Sequence, residues 1–346
     1  MSRYAILANH SFDYISAKTG NAIIRYRPEE VVCVIDSETA GRTVQDVLGW
    51  GGDIPVVATL KEAFNYSPDT LLIGIAPPGG ELPILWRKTI SLAIENKLNV
   101  INGLHTFLLD DPEFSSLSTT HGVSIIDLRR PPDSLHFPKG TWQERKIPVL
   151  LTVGTDCDSG KMITAWEIKR LLEKRGKRVA FVGTGQTGIL LGGFGVAVDA
   201  VVSDFIAGSI EAEIDKAEKD HDLVIVEGQG SITHMAYSGV TCGLLHGTMP
   251  DMMVICHEAE RNIDTFNYPM FPIADIMDLY LRLVTLFKPS EFVGISLITQ
   301  DMSEKKARET LHSFEKEYGL PTTDFFRFSG IKIVDNILAH LDASSF

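Results

Sequence analysis

The sequence predicts an α/β protein of two domains built on mostly parallel sheets. Three observations carry that prediction. Short apolar runs that read as strands alternate with helical segments along the chain, the pattern of layered α/β folds. One of those runs, beginning at Val149, leads through a glycine loop into a helix start. A stretch dense in proline and glycine, 128–140, breaks the alternation where a linker belongs.

Taken in order, Val31–Ile35, 54–57, 71–76 and 99–104 read as strands of a first domain, with a helix over 82–97 before the last. The division is placed after Gly140, giving domains 1–140 and 141–346. A chain of 346 residues is long for a single core, which supports two. The second domain opens near Ile147 with the strand of the glycine loop. In the helix that follows, Ile163, Trp166, Leu171 and Leu172 recur at helical spacing, and Gly176 supplies a C′ stop. Strands at 178–182, Leu223–Val226, 252–256 and 292–298 complete the pattern, and 331–341 reads as a helix.

Composition bounds the partners. With 44% hydrophobic and 22% charged residues the chain is globular rather than disordered. A net charge of −13 argues against nucleic acid as the main partner, because backbone binding needs a positive surface. Cys33, Cys157, Cys242 and Cys256 show no C-x-x-C spacing, so neither a zinc knuckle nor a disulfide framework is indicated. The N-terminal segment lacks the apolar length of a signal peptide, and no run reaches the roughly 18 apolar residues of a membrane span. The expectation is a cytoplasmic protein with a small-molecule substrate, no nucleic acid and no membrane. Doubly wound domains of this size often associate, which makes a homo-oligomer the expectation from class.

The chemistry centres on Gly154-Thr155-Asp156-Cys157-Asp158-Ser159-Gly160-Lys161-Met162. Successive backbone N–H groups in such a loop form an anion nest, the next helix adds its positive end, and Lys161 adds a point charge. The loop departs from a Walker A motif twice. Five residues rather than four separate Gly154 from Gly160, a spacing that resembles the G-T-D-T-x-x-G-K-T loop of dethiobiotin synthetase. Met162 stands where the magnesium-binding hydroxyl belongs, and a thioether is a poor ligand for that hard cation. Such a loop is suited to hold phosphates without cleaving them. Magnesium-ATP chemistry would need Thr155, Ser159 or Thr164 as a substitute ligand. Cys157 sits at a helix N-terminus, a setting that lowers a thiol's pKa, although packing of a small side chain explains it more simply.

Three further clusters end strands, where open α/β sheets bind ligands. The first is Glu227-Gly228-Gln229-Gly230, whose glycines allow close backbone approach. The second is Gly183-Thr-Gly185-Gln186-Thr187-Gly188, a ligand-contacting loop or a plain connector. The third holds His257, a candidate base or a structural histidine, and Arg261, a candidate clamp for a substrate carboxylate. His234, His246 and His257 lie too far apart for a compact zinc motif and read as polar lining, so no metal ligand is assigned.

Together with Ile101-Asn-Gly-Leu-His-Thr-Phe-Leu108, Asp110-Asp-Pro-Glu113, Asp204-Phe-Ile-Ala-Gly208, Leu244-Leu-His-Gly247 and Cys256-His-Glu258, these motifs touch both domains and resemble the D-glutamate N-acetyltransferase family, long catalogued as a domain of unknown function. The resemblance implies a Rossmann-like N-terminal domain followed by a P-loop-type three-layer α/β/α domain. It implies transfer of an acetyl group from acetyl-CoA to D-glutamate. On that reading the loop residues 154–162 and Gly228, Gln229 and Gly230 hold the coenzyme, and Arg261, Gly185, Gln186 and Thr187 contact the amino acid. Glu227 and His257 are the candidate bases beside Lys161, and loop amides stabilise the oxyanion. Two rivals stand beside it: an ATP- and Mg²⁺-dependent ligase or kinase, and a non-catalytic nucleotide sensor.

Overall fold

A computed structural model describes residues 2–14, 16–75 and 80–343. The chain forms two compact units, Met1–Arg130 and Pro131–Phe346.

The first unit carries six strands: β1 (Tyr4–Leu7), β2 (Val31–Ile35), β3 (Val56–Val57), β4 (Thr70–Ile73), β5 (Asn99–Asn102) and β6 (Ile125–Asp127). Its helices are α1 (Lys18–Tyr26), α2 (Val44–Leu48), α3 (Leu60–Ala63), α4 (Ile84–Glu95) and α5 (Pro112–His121). The sheet is parallel throughout, in the order β3-β2-β1-β4-β5-β6. That is the strand order of dinucleotide-binding folds. Local chemistry sets the helix ends. Thr43 and Asp46 form a reciprocal capping box on α2, while Asp111 caps α5 with Pro112 at its first position. The strand expected at 54–57 is only two residues long, and Ala76, expected to end the strand at 71–76, lies outside the described residues. Two strands were not expected: β6 at the edge, and β1 at the centre.

The second unit alternates β7 (Val149–Gly154), α6 (Lys161–Lys174), β8 (Val179–Val182), α7 (Gln186–Gly192), α8 (Ser203–Ala217), β9 (Leu223–Val226) and α9 (Ser238–Thr248). It continues with β10 (Met252–Glu258), α10 (Ile273–Thr285), β11 (Glu291–Ile298), α11 (Glu304–Tyr318), β12 (Thr322–Thr323) and α12 (Ile331–Ala343). This sheet too is parallel, in the order β12-β11-β10-β7-β9-β8. Alternate residues of β7 feed opposite faces. Val149, Leu151 and Val153 pack with Ile206, Ile210, Leu244 and Tyr280 from α8 to α10, whereas Leu150 packs with Ile168 and Leu172 of α6 and Ile333 and Ile337 of α12. Helices therefore cover both faces, which explains why every residue of β7 is buried and apolar or small. Helix α6 ends as the sequence requires, with Gly176 left-handed (φ +81°) just beyond it.

The division between the units falls at Arg130/Pro131, earlier than the boundary expected after Gly140. The reason is electrostatic. The buried carboxylate of Glu211 on α8 accepts the backbone N–H groups of Lys139, Gly140 and Thr141 at 2.5, 2.8 and 3.1 Å. Farther along the same helix, Asp215 accepts the Thr141 hydroxyl and Glu218 the N–H of Lys146. The stretch before β7 thus belongs to the second unit's own packing.

Candidate functional site

β7 ends at the middle of its sheet, between β10 and β9. The loop after it opens where the strand order reverses, the crevice in which open α/β sheets take ligands. The loop passes through left-handed backbone at Asp158 (φ +58°) and Gly160 (φ +87°), geometry that turns successive N–H groups inward. Gly160 is the N-cap of α6 and no side chain caps that helix, so its first amides face the loop. Lys161 folds back inside: its ammonium donates to the Asp156 carbonyl at 2.7 Å and to Ser159 Oγ at 3.2 Å. Burial holds this lysine below its usual range, and a bound anion would favour its charged form.

Three hydroxyls were expected as substitutes for the one that Met162 replaces. Each is committed. Thr155 Oγ1 bonds to His257 Nδ1 at 2.9 Å, Ser159 Oγ donates to the Asp156 carbonyl at 3.0 Å, and Thr164 Oγ1 pairs with Ser296 Oγ at 2.7 Å.

The two candidate bases end the strands on either side of β7. Two inter-strand spacings, roughly 10 Å, therefore separate their strands. Glu227, at the end of β9, is buried and accepts the N–H groups of Thr184 (2.9 Å) and Gly185 (3.2 Å). Burial raises its pKa to about 7 in spite of those bonds. Gly188 closes the space around it, since a Cβ there would lie 2.0 Å from the carboxylate. The 183–188 loop thus cradles Glu227. Gly185 spends its amide on it, Gln186 begins α7, and Thr187 is buried. Past Glu227, Gly228 donates to Thr152 Oγ1 and presses against β7, where a Cβ would meet the Thr152 carbonyl at 1.7 Å. Gln229 offers its carbonyl to Thr241, and Gly230 is left-handed.

His257, at the end of β10, is buried and stacked on Phe314. Burial, with the Arg261 charge beside it, presses its pKa down to about 4. A ring that accepts a proton only near pH 4 is a weak base at neutrality, which favours the structural of the two roles the sequence offers. Cys157 follows the simpler of its two readings. Burial raises its thiol pKa and outweighs the nearby Lys161 ammonium.

Asp156 is the hub of the loop. Its fully buried carboxylate accepts the N–H of Cys157 at 2.7 Å, the N–H of Thr265 at 2.9 Å and Arg261 Nη1 at 3.2 Å. Arg261, expected to clamp a substrate, also donates to the Cys157 carbonyl and pairs with Glu258 at 2.5 Å. Its guanidinium is engaged within the protein. His234, read from the sequence as lining, stands beside the loop, with Nε2 3.0 Å from Thr265 Oγ1 and Nδ1 accepting the N–H of Ala236.

Asp156, Cys157 and His234 place an oxygen, a sulfur and a nitrogen within 4.8 Å of one another, a donor set of zinc type. The bonding around them does not fit a metal. A ligating histidine donates its other ring nitrogen, whereas Nδ1 here accepts, and Arg261 already meets the Asp156 charge.

Beside this hub is a cavity of about 220 Å³ lined by Thr155, Asp156 and His234 on one side and Tyr268, Met270 and Phe271 on another. Tyr280 braces its root, donating to the Gly154 carbonyl and accepting the N–H of Ile232. The sequence reading missed Thr265, Tyr268, Phe271 and Tyr280. They belong to no motif, and only the clustering of aromatic residues and prolines after β10 marks their segment.

Two family models match the chain: a P-loop domain of unknown function, DUF1611, over residues 136–334, and its Rossmann-like N-terminal companion over 37–131. A D-glutamate N-acetyltransferase of a Pseudoalteromonas species is 36% identical over 341 residues, 98% of each chain. A second protein of that name, from Tritonibacter scottomollicae, is 35% identical over 343 residues, covering 97% of this chain and 98% of its own. A crystal structure of a DUF1611 family protein from Anabaena variabilis superposes with a TM-score of 0.93 at 34% identity, covering 98% of this chain and 100% of that one.

Proposed function

This chain belongs to the DUF1611 family, and on that premise we propose that it is an N-acetyltransferase carrying an acetyl group from acetyl-CoA to the amine of D-glutamate. The observation that carries the reading is the similarity to two D-glutamate N-acetyltransferases across both units. The loop geometry supports it independently. Coenzyme A needs a nest for phosphate that does not cleave phosphate, and the amides around Gly160, with Lys161, suit that task. Magnesium-ATP chemistry is the less supported reading, since Met162 supplies no oxygen where the metal's hydroxyl ligand belongs. The free thiols fit a reducing, cytoplasmic setting, which forms part of the proposal.

In the proposed reaction the amine loses a proton and attacks the thioester carbonyl, and the coenzyme thiol departs. Of the two expected bases Glu227 has the suitable proton affinity, because a group titrating near 7 can both accept and release a proton at neutral pH. His257 stays neutral and holds the Thr155 hydroxyl. The direct test is release of free coenzyme A from acetyl-CoA with D-glutamate, L-glutamate or no amine, without ATP or metal. Release that depends on D-glutamate supports the proposal. Release only with another amine would replace the acceptor, and none at all would sink the reading.

A further inference from the structure

The cavity beside the loop can serve either co-substrate, and its chemistry discriminates between them. Ligand pockets that enclose a whole small molecule are about 300–1,000 Å³, so a space of about 220 Å³ takes one end of a ligand. It begins at Thr155 and Asp156, the first half of the loop, whereas the uncapped amides lie at the α6 end of the same loop. A ligand end seated in it would therefore lie within one loop of an anion held at those amides. Its walls are largely apolar: Met235, Tyr268, Pro269, Met270 and Phe271. Met235, Tyr268 and Phe271 are 71%, 51% and 59% exposed, an apolar rim that calls for a covering ligand.

The charges around it rule against an acidic occupant. The charged side chains in its lining are Asp156 and Asp264, and no lysine or arginine is among them. Arg261, which bonds Asp156, is engaged with that carboxylate, the Cys157 carbonyl and Glu258. A second carboxylate entering here would meet acids without a compensating cation. An uncharged chain bearing amides and a thioester fits better. Its methylenes match the methionine and aromatic walls, and its amide N–H groups match acceptors such as the Asp264 carboxylate.

We infer that this cavity is the subsite for the pantetheine-thioester arm of the acyl donor, and that the two carboxylates of the acceptor are recognised elsewhere. The assignment rests on the acetyltransferase reading above and deepens it.

The test compares wild type with Met235→Ala and Phe271→Ala, one exposed side chain from each wall, so that folding is not at stake. Calorimetry measures affinity for acetyl-CoA and for 3′-phosphoadenosine 5′-diphosphate, the coenzyme's nucleotide half without its arm. Steady-state kinetics measure KM for D-glutamate. Losing some 40 Å² of apolar contact predicts acetyl-CoA binding weakened about fivefold. Affinity for the nucleotide half and KM for D-glutamate should stay unchanged. A matching loss for the nucleotide half would put the adenine in the cavity instead. A raised KM for D-glutamate with unaltered acetyl-CoA affinity would make it the acceptor's pocket, and no change in any of the three would remove the subsite. Each of these overturns the assignment while leaving acetyl transfer intact. A wild-type protein that binds no acetyl-CoA would bring down both.

Discussion

The two sheets place their first strands alike and then use them differently. β1 lies between β2 and β4, β7 between β10 and β9, and each therefore opens a crevice at a reversal of strand order. After β1, residues 8–17 contain no glycine, and the chain turns polar groups upon itself. Asp36, beyond β2, accepts the N–H of His10 at 2.7 Å and the N–H of Thr39 at 3.0 Å, while Asn9 accepts the N–H of Ser37 at 2.8 Å. After β7, glycines at 154 and 160 leave amides and a lysine to receive an anion. Topology supplies a crevice in both units, and side-chain size decides which crevice has donors to offer.

The largest effect should come from closing the second crevice. Gly228→Ala drives a Cβ against the Thr152 backbone carbonyl, which cannot yield as a side chain would. A loss of about 3 kcal/mol or more is expected in denaturant unfolding. A loss below about 1 kcal/mol would mean that the loop's tightness is incidental. Next comes Lys161→Ala, which should weaken acetyl-CoA binding roughly 10- to 100-fold, the worth of a charge-assisted bond. Asp36→Asn in the first unit should leave that binding unchanged. If both variants weakened it equally, the contrast between the crevices would fail.

Glu227→Gln sharpens the comparison through pH. The folded carboxyl titrates near 7, above the 4.5 of an exposed glutamate, so the folded state holds the extra proton between those values. The acid's contribution is therefore present at low pH and fades as pH rises through 7. Glutamine mimics the protonated form. It should change stability little at pH 5 and raise it at pH 8, by on the order of 1–3 kcal/mol, read as a higher Tm. A Tm gain at pH 5 equal to that at pH 8 would contradict the titration. The smallest change is Thr155→Val, which removes the partner of His257 Nδ1 and should cost about 1 kcal/mol. Because His257 is depressed to about 4 from 6.5, its contribution is complete above 6.5 and lost as pH falls. The valine variant should be compared with wild type at pH 7, where that ring is neutral in both.

The glycine loop was legible because its chemistry is local: spacing, a lysine and a following helix all lie within a dozen or so residues. The strands of the second unit were legible for a related reason, since burial on both faces makes them continuous apolar runs. β1 escaped because four apolar residues carry no period, and β12 because its two threonines are a strand only through pairing with β11. Site residues were legible by type but not by partner. The sequence offers Arg261 as a free cation, yet Asp156, distant in the chain, and Glu258 claim it. It offers His257 as a base or a structural histidine, and burial against Phe314 favours the second. His234 and Thr265 reach the loop only through folding, and no local pattern announces them.

The acids of α8 set where this molecule can be divided. A gene fragment begun at 141, as sequence punctuation suggests, would strip Glu211 of two of its three amide partners and leave a buried negative charge under-solvated. A fragment begun at 131 keeps them all. The portable module is thus longer than its strands and helices imply, and any shuffling or fusion that respected only those elements would cut through one of its anchors.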